Sequence, residues 1–505
     1  MKARTILFAS LLAVAAALPA AAQTQLRIGL GEDPDNLDPT TAGSYVGRIV
    51  LAAMCDKLFD IDDKLNIVPQ LALAHETSAD GKTVTIKLRS GVKFQDGEPF
   101  NADAVKFTLD RHMTMQGSFR KAELAQIDKV EVVDPLTVRL LLKAPFSPLI
   151  AQLTDRAGMM VSPKAVKEAG DKFVQKPVCA GPFRFAERVV QDHITLERFA
   201  DYWDKDRIHI DRVTYVPMPD ATVRFANLRS GQLDLIERLL PTDIPAVRAD
   251  PKLKLLLPTP PIAYTGITVN LANTDQAKNP LGQSAKVRQA LDLSIDREAL
   301  NQVVFNGAYT PGNQFSAPGN PYYVEKFPIL PRNVEKAKAL LKEAGVATPI
   351  DVDMMVPNQA DVKQVAEVVQ AMAAEAGFDI KIQLTEFATS LQEATKGNFQ
   401  LYLIGWSGRV DPDQNVINHL GCNTPFNWGK YCNDVTQAAL NEARTVTAPA
   451  KRKAAYEKAM AQIEADKPLI YLYHQAYIFA YVAKLEGYSQ PPDGIIRIQD
   501  MRLSK

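Results

Sequence analysis

The sequence predicts an α/β protein with more than one lobe. Its 505 residues exceed the size of a typical single domain, and the composition, 46% hydrophobic and 23% charged, is ordinary for a globular protein. The clearest local pattern is a strand at 352–356, apolar residues at helical spacing over 362–376, and an alternating strand at 378–384. Two strands joined by one helix predict a parallel pair with a right-handed crossover.

The first 22 residues have the pattern of a secretory signal peptide. Lys2 and Arg4 precede an apolar run over 6–18, and the alanines ending at Ala22 offer a cleavage site before Gln23. Because residue 23 is Gln rather than Cys, the new N-terminus has no thiol for a lipid anchor. The apolar run is short for a bilayer span, although an uncleaved membrane anchor is the alternative interpretation.

The part that precedes residue 264 predicts several small sheets. A unit over 70–178 is rich in local pairing and predicts a compact α+β subdomain. The predicted elements are strands at 26–30, 83–88, 129–133, 137–142, 183–186, 194–199, 213–217 and 233–236, and helices over 102–111, capped by Asn101, and from Asp220 to Gly231.

The remainder predicts a second large α/β unit around the strand–helix–strand run. A strand at 264–270 opens this unit, and a long helix spans 448–465. The aromatic-rich residues 469–481 predict a pair of buried strands.

Residues 405–413 predict a recognition loop. An apolar strand pattern at 401–404 ends in a segment with two glycines and a proline, which stop the strand. Trp406, Ser407, Arg409, Asp411 and Asp413 arrive together at this junction, where rigid scaffolds commonly present binding groups. The alternative is a polar turn in which Trp406 only fills the core.

Charge and motif content argue against several classes of function. Lysine plus arginine and aspartate plus glutamate both number 58, and no basic run predicts binding to nucleic acid. There is no Gly-x-Ser-x-Gly elbow, Walker loop or Gly-x-Gly-x-x-Gly fingerprint. No histidine pair has metal-ligand spacing, so we predict no catalytic residue, no metal site and no resident cofactor. A carboxylate pair assembled by folding stays open.

Four cysteines suit an oxidising compartment. Cys422 and Cys432 lie ten residues apart and could close a local loop, which would leave Cys55 for Cys179. Three pairings are formally possible, and the sequence does not choose among them.

Several segments, in order, resemble the extracellular solute-binding protein family 5, the dipeptide, oligopeptide and nickel binding proteins of ABC importers. Each segment is weak alone, but their common register over nearly the whole mature chain is specific. The matching segments are residues 80–100, Ala180-Gly181-Pro182-Phe183, Asp201-Tyr202-Trp203, Val287-Arg288-Gln289-Ala290, Ile295-Asp296-Arg297, residues 335–341 and Gly405-Trp406-Ser407.

The resemblance implies a bilobed periplasmic-binding-protein fold of the large, three-subdomain form, with a hinge between the lobes. It implies that the lobes close around a ligand, that the closed form docks on a membrane permease, and that the protein is a periplasmic monomer without covalent chemistry. The implied division is a signal peptide at 1–22, a discontinuous lobe I at 24–69, 180–264 and 482–505, an inserted subdomain at 70–179, and lobe II at 265–481.

The resemblance also implies the binding residues. Peptide-binding members hold the ligand's amine with an aspartate at the position of Arg409, and an arginine fork suits a carboxylate or phosphate better. We therefore hypothesise that Arg409 binds an acidic group of the ligand, with Asp411 orienting it or meeting a cation; the alternative is a structural bridge from Arg409 to Asp411 or Asp413. The other cleft candidates are Tyr45, Tyr264, Trp406, Ser407, Asn427 and Trp428.

The resemblance gives the cysteines structural roles as well. A Cys422–Cys432 bridge would stiffen the loop that carries Asn427 and Trp428, and a Cys55–Cys179 bridge would clamp the base of the inserted subdomain.

The predicted function is capture of a peptide or a related small, possibly acidic, solute for import. Binding of haem or a metal complex by the same fold is one alternative, and a secreted hydrolase is another. Presentation of the ligand to a chemoreceptor is compatible with the first.

Overall fold

The computed structural model describes residues 23–257, 259 and 261–504. The predicted signal peptide at 1–22 lies outside the described residues. Within them, no helix combines the length and the apolar character needed to cross a bilayer.

The described residues form strands and helices that alternate along most of the chain. The strands are β1 (Gln25–Leu30), β2 (Phe59–Ile61), β3 (Ile67–Pro69), β4 (Ala72–Thr77), β5 (Thr83–Leu88), β6 (Ile127–Asp134), β7 (Thr137–Leu142), β8 (Phe183–Val189), β9 (His193–Arg198), β10 (Arg212–Pro217), β11 (Leu235–Ile236), β12 (Leu253–Leu256), β13 (Tyr264–Val269), β14 (Thr310–Pro311), β15 (Ile350–Pro357), β16 (Phe378–Thr385), β17 (Leu401–Trp406), β18 (Leu469–His474), β19 (Phe479–Val482), β20 (Leu485–Glu486) and β21 (Arg502–Leu503). The helices are α1 (Tyr45–Met54), α2 (Ala102–Thr114), α3 (Leu149–Gln152), α4 (Pro163–Ala169), α5 (Ala221–Arg229), α6 (Ile244–Ala249), α7 (Pro280–Gln283), α8 (Ala285–Ser294), α9 (Arg297–Phe305), α10 (Val334–Glu343), α11 (Ala360–Ala374), α12 (Phe387–Lys396), α13 (Pro412–Leu420), α14 (Asp434–Thr445) and α15 (Pro449–Asp466).

The first large sheet gathers segments that are far apart in sequence. Its strand order is β12-β19-β11-β1-β10-β9-β8, and the central strand β1 pairs in parallel with both β10 and β11. Apolar side chains of β1 pack with the fully buried helix α1 in one core. Because β1 and β11 are parallel, the segments that follow them emerge at the same edge of the sheet.

The second large sheet contains the predicted strand–helix–strand run. Its order is β14-β18-β13-β17-β15-β16, and β15 pairs in parallel with β16 over eight residues. Helix α11 joins these two strands and buries Val365 and Val369 against the sheet. The prediction of a parallel pair with a crossover helix is confirmed.

A four-stranded antiparallel sheet, with the order β4-β5-β7-β6, forms a third unit within residues 72–142. Helix α2 packs on it and begins after Asn101, whose side chain accepts a hydrogen bond from the Ala104 amide. The predicted strand 83–88, the hairpin and the helix cap are all present.

The two buried strands predicted within 469–481 are present, but they do not pair with each other. Strand β18 pairs with β13 in the second sheet, whereas β19 pairs with β11 and β12 in the first sheet. Residues 475–478 therefore cross between the sheets, and the consecutive strands β12 and β13 likewise belong to different sheets. This moves the second crossing a few residues before the predicted boundary at 481; the other lobe boundaries stay a prediction.

Both cysteine pairs considered from the sequence are disulfides, Cys55–Cys179 and Cys422–Cys432. The first joins the end of α1 to the segment that leads into β8, on either side of the third unit. The second closes the loop between α13 and α14.

Candidate ligand-binding cleft

A cleft with about 1060 Å³ of empty space, part of it open to solvent, lies between the two large sheets, and residues 475–477 of one crossing segment line it. Loops at the ends of β1 and β11 and the start of α1 form one side, and the ends of β15, β17 and β18 form the other. The lining residues are Glu32, Gly43, Ser44, Tyr45, Arg238, Leu239, Leu240, Thr265, Tyr309, Pro357, Gln359, Asp361, Val362, Phe387, Leu391, Ile404, Gly405, Trp406, Ser407, Phe426, Trp428, Tyr473, Gln475, Ala476 and Tyr477.

A stack of two tyrosines crosses the floor of the cleft. The rings of Tyr45 and Tyr477 are nearly parallel, with centroids 4.9 Å apart. The Tyr45 hydroxyl donates to the Gly494 carbonyl over 2.7 Å, and the Tyr477 hydroxyl donates to the Ser407 carbonyl over 2.8 Å. These bonds anchor one ring to the first lobe and the other to the second, so the stack links the two sides.

The wall at the end of β17 is aromatic. Trp406 contacts Phe426 and the imidazole of His419, whose ring centroid lies 4.6 Å away. Its indole N–H donates to Asn415 Oδ1 over 2.9 Å, which fixes the ring. Burial lowers the pKa of His419 to about 3, so this imidazole is neutral at physiological pH and belongs to the apolar wall.

The opposite part of the cleft, which we name the acid-rich end, consists of Glu32, Glu237, Asp361, Arg238 and Arg224. Arg238 forms ion pairs with Glu32 and with Glu237, the latter over 2.6 Å. Gln359, from the second lobe, donates to Glu32 over 2.7 Å.

Burial, with the neighbouring Glu237, raises the pKa of Glu32 despite the adjacent guanidinium. The two carboxylates raise the pKa of Arg238 well above its ordinary value, so it stays charged.

Charge in the acid-rich end does not balance. Asp361 is half-buried at the start of α11 and forms no ion pair with another described residue. Arg224 is buried behind the site and donates to the backbone carbonyls of Glu237 and Arg238. Three carboxylates thus face two guanidinium groups, which leaves one negative charge for a cation.

Half of the residues predicted for the site line this cleft. Tyr45, Trp406, Ser407 and Trp428 do so, and their contact with a ligand stays a proposal. Tyr264 is buried behind the aromatic wall, where its hydroxyl donates to the Asn415 carbonyl. Asn427 is buried within the disulfide-closed loop.

The Asn427 side chain bonds only backbone groups. It donates to the carbonyls of Gly421 and Tyr431 and accepts a hydrogen bond from the Tyr431 amide. It holds the loop that presents Trp428.

Arg409 and Asp411 turn away from the cleft. The Arg409 Nε lies 2.8 Å from Oδ2 of Asp155, a residue just after α3. The Arg409 guanidinium lies 4.4 Å from the centre of the Trp406 ring. Asp411 accepts two hydrogen bonds from Arg452 and caps α13. The alternative of a bridge from Arg409 to Asp411 or Asp413 is therefore wrong. Asp411 pairs with Arg452, and Asp413 forms an ion pair with Arg444.

The sequence analysis missed the acid-rich end. Glu32 follows β1 and Glu237-Arg238 follows β11, so both are polar groups just beyond buried parallel strands. Such positions meet at one sheet edge, where α/β proteins bind ligands. That signal was present, but the pairing of β1 with β11 joins residues about 200 positions apart, which local patterns do not reveal.

Two sheets that enclose a lined cleft and are joined by crossing segments define a two-lobed binding protein of the periplasmic type. The chain belongs to the bacterial extracellular solute-binding proteins, family 5, whose family model ("family 5 Middle") matches residues 66–428. The family resemblance stated from the motifs is confirmed.

Relatives and solved structures agree with this assignment. The chain is 30% identical over 516 residues to the glutathione-binding protein GsiB of Pectobacterium atrosepticum. The aligned region covers 99% of this chain and 98% of that protein. It superimposes with a TM-score of 0.85 and 26% identity on the binding protein AgaA of A. tumefaciens R10 in complex with agropinic acid, over 95% and 99% of the two chains. A dipeptide-binding protein from Pseudoalteromonas sp. SM9913 in complex with Met-Leu gives 0.87 at 24% identity, over 95% and 100%.

The protein is thus the substrate-binding component of an ABC importer, with the bilobed fold. Its family consists of transport components rather than enzymes, so the hydrolase alternative is wrong. No group of three or more histidine, cysteine or acidic side chains with metal-binding geometry occurs in the part of the chain that the structure describes. Binding of haem or a metal complex stays a prediction without a supporting residue set.

Proposed function

We propose that this protein captures a short peptide or peptide-like zwitterion and delivers it to a membrane permease. The observation that carries the proposal is the cleft between the lobes, which joins an acid-rich end to an aromatic wall. The similarity to a protein named for glutathione binding supports the same class of solute. The protein acts as a monomer in the periplasm after removal of residues 1–22.

The acid-rich end suits the ammonium group of the solute. A ligand enclosed between lobes loses its water, so each of its charges needs a fixed counter-charge. Asp361 supplies a half-buried carboxylate, and Glu32 supplies a second one that Arg238 only partly compensates. An ammonium here restores charge balance and lowers the pKa of Glu32, which offsets the effect of burial and of Glu237.

The remaining surface suits the backbone and apolar parts of a short peptide. Aromatic rings such as Trp428 and Phe387 border the cleft, and the Trp428 indole N–H has no hydrogen-bond partner among the described residues. A buried indole N–H usually finds an acceptor, and a peptide carbonyl would provide it.

Isothermal titration calorimetry of the mature protein tests the proposal with glutathione and N-acetyl-glutathione. We expect the free amine to bind at least tenfold more tightly, and Asp361→Asn to lose most of that preference. Glu367→Gln, an exposed acid on the same helix α11, is the matched control and should retain it. Equal affinity for both compounds, or a preference unaffected by Asp361→Asn, would contradict the assignment of the amine.

Mass spectrometry of solutes that co-purify with the protein covers ligands outside this pair. Light scattering after gel filtration tests the monomer, and the intact mass of protein exported from a bacterium tests cleavage at Ala22. A co-purified solute without an amine would also reject the proposal.

A further inference from the structure

Four buried arginines meet behind the end of the cleft that carries Ser44 and Ser407, and we name them the arginine cluster: Arg48, Arg120, Arg156 and Arg409. Arg48 belongs to α1, and Arg120 lies between α2 and β6. Arg156 follows α3, and Arg409 lies in the loop after β17. None is more than 4% exposed. The cluster therefore lies where all three parts of the molecule touch.

Three of these guanidinium groups share one carboxylate. Asp155 Oδ2 lies 2.6 Å from Arg48 Nη2 and 2.8 Å from Arg409 Nε, and Asp155 Oδ1 lies 3.4 Å from Arg156 Nε. The fourth, Arg120, pairs with Glu123 over 2.9 Å. Four positive charges thus face two negative charges, all of them buried.

The donors of the cluster are not all used. Arg48 Nε, Arg120 Nε, Arg156 Nη2 and Arg409 Nη2 have no hydrogen-bond partner among the described residues. The neighbouring acids are engaged elsewhere: Asp413 with Arg444, and Asp35 with the backbone amides of Gly43 and Ser44.

Asp155 and Asp493 raise the pKa of Arg48 despite its burial. Burial and the neighbouring guanidinium groups instead lower the pKa of Arg409 to about 10, chiefly through burial and then Arg48, and they lower the pKa of Arg156 well below its ordinary value. A lowered arginine pKa means that the site favours less positive charge, so a bound anion would stabilise it.

The cluster is continuous with the cleft. The Ser407 hydroxyl, which lines the cleft, accepts from Arg48 over 2.9 Å and from Arg409 over 3.1 Å. The Ser44 carbonyl accepts from Arg156 over 3.3 Å, and Arg409 covers the rear face of the Trp406 wall. Only one layer of residues separates the guanidinium groups from the ligand space.

We propose that the arginine cluster is the subsite for an oxyanion group of the imported solute, which enters between Ser44 and Ser407. The excess of guanidinium groups and their unused donors match the planar, multiply accepting carboxylate, sulfate or phosphate group. This inference rests on the proposed function and extends it: the solute carries its amine at the acid-rich end and an acidic group at the opposite end.

The proposal gives lobe closure a chemical requirement. Arg409, from the loop after β17, contacts Asp155, which Arg48 and Arg156 also contact. Without an anion, Arg409 adds a buried positive charge to a cluster that already has more guanidinium groups than carboxylates. An oxyanion from the solute compensates this charge. An acidic solute therefore favours the closed form, whereas a neutral analogue does not.

Glutathione and its glycyl ethyl ester form the probe pair, because the ester removes only the carboxylate distal to the amine. We expect calorimetry to show at least tenfold tighter binding of the acid to wild-type protein. In Arg409→Met the two affinities should fall within twofold of each other, and Arg156→Gln, made in case the first variant fails to fold, should give the same result. Arg27→Met, which removes an arginine paired with Asp234 in the first sheet, should keep the wild-type preference.

A second arm separates the solute's own group from a free anion. Sodium sulfate at constant ionic strength should raise the melting temperature of unliganded wild-type protein saturably, should not do so in Arg409→Met, and should compete with glutathione. Equal binding of acid and ester by wild-type protein overturns the subsite but leaves the proposed function intact. If neither compound binds, the proposed function fails for this solute, and absence of a sulfate effect then overturns the anion site as well.

Discussion

The acid-rich end lines the cleft, the arginine cluster lies behind the lining at the other end, and the two are built on opposite principles. In the acid-rich end, Arg238 lies between Glu32 and Glu237, so one cation serves two carboxylates. In the arginine cluster, Asp155 lies among three guanidinium groups. The arginine cluster is buried, whereas Arg238 and Asp361 of the acid-rich end keep partial contact with solvent.

This difference gives the cleft a direction. Burial raises the pKa of Glu32 and lowers that of Arg409 to about 10, and in each case a neighbouring group of the same charge, Glu237 or Arg48, adds to the shift. A zwitterion with its amine at one end and its acid at the other corrects both. A neutral or singly charged solute corrects one at most.

The largest expected effect is the difference in stability between substitutions of Arg238, in the acid-rich end, and of Arg409, in the arginine cluster. Arg238→Met leaves Glu32 and Glu237 buried without their shared cation, and we expect a loss of about 3–5 kcal/mol in the free energy of unfolding. Arg409→Met reduces an existing excess of positive charge, so we expect a loss of only about 1–2 kcal/mol. Urea denaturation followed by tryptophan fluorescence, in unliganded protein, measures both.

Arg27→Met is the control for losing one arginine from a partly exposed ion pair, and about 1 kcal/mol or less is expected for it. If Arg409→Met proved as destabilising as Arg238→Met, the two ends would not differ in the way that their charge counts indicate.

An intermediate effect concerns the tyrosine stack that connects the ends. Tyr477→Phe removes the hydrogen bond to the Ser407 carbonyl, which joins the crossing segment to the second lobe, while it keeps the ring. We expect a three- to tenfold loss of solute affinity, equivalent to about 0.5–1.5 kcal/mol for one hydrogen bond. Tyr45→Phe removes an equally short bond within the first lobe and should affect affinity at least threefold less. Similar losses of affinity from Tyr477→Phe and Tyr45→Phe would contradict the role of the Tyr477 hydrogen bond in linking the two sides of the cleft.

The smallest expected effect is the release of protons on binding. Because the pKa of folded Glu32 is raised, the stability gained from its protonated form is present below its unfolded value, near 4.5, and is lost as the pH rises through the folded value. A bound ammonium lowers this pKa, so binding just above pH 4.5 should release a fraction of a proton. Calorimetry in buffers with different ionisation enthalpies detects it; Glu32→Gln should abolish the release, whereas proton uptake would contradict the position of the amine.

The segment 405–413 shows how far sequence reasoning reached. The end of strand β17 and the arrival of Trp406 and Ser407 at the cleft were predicted from local pattern alone. The glycines predicted that the strand ends here, but not the direction of the turn. Gly408 has φ +73°, and a Cβ there would lie 2.3 Å from the carbonyl of Ile262, which is distant in sequence. The next residue, Arg409, contacts Asp155 rather than the cleft.

The sequence by itself determined the α/β class, most strands and helices, the two cysteine pairs to consider, and the family. These follow from spacing within a few residues or from motifs in order, which the chain records directly. Only the tertiary structure decided that β19 leaves its neighbour β18 for the first sheet, that Arg238 rather than Arg409 borders the cleft, and that Asp155 joins three arginines. The reason is physical: an ion pair or a strand pairing depends on which distant groups folding brings within a few ångströms, and Glu32 and Arg238 lie 206 positions apart.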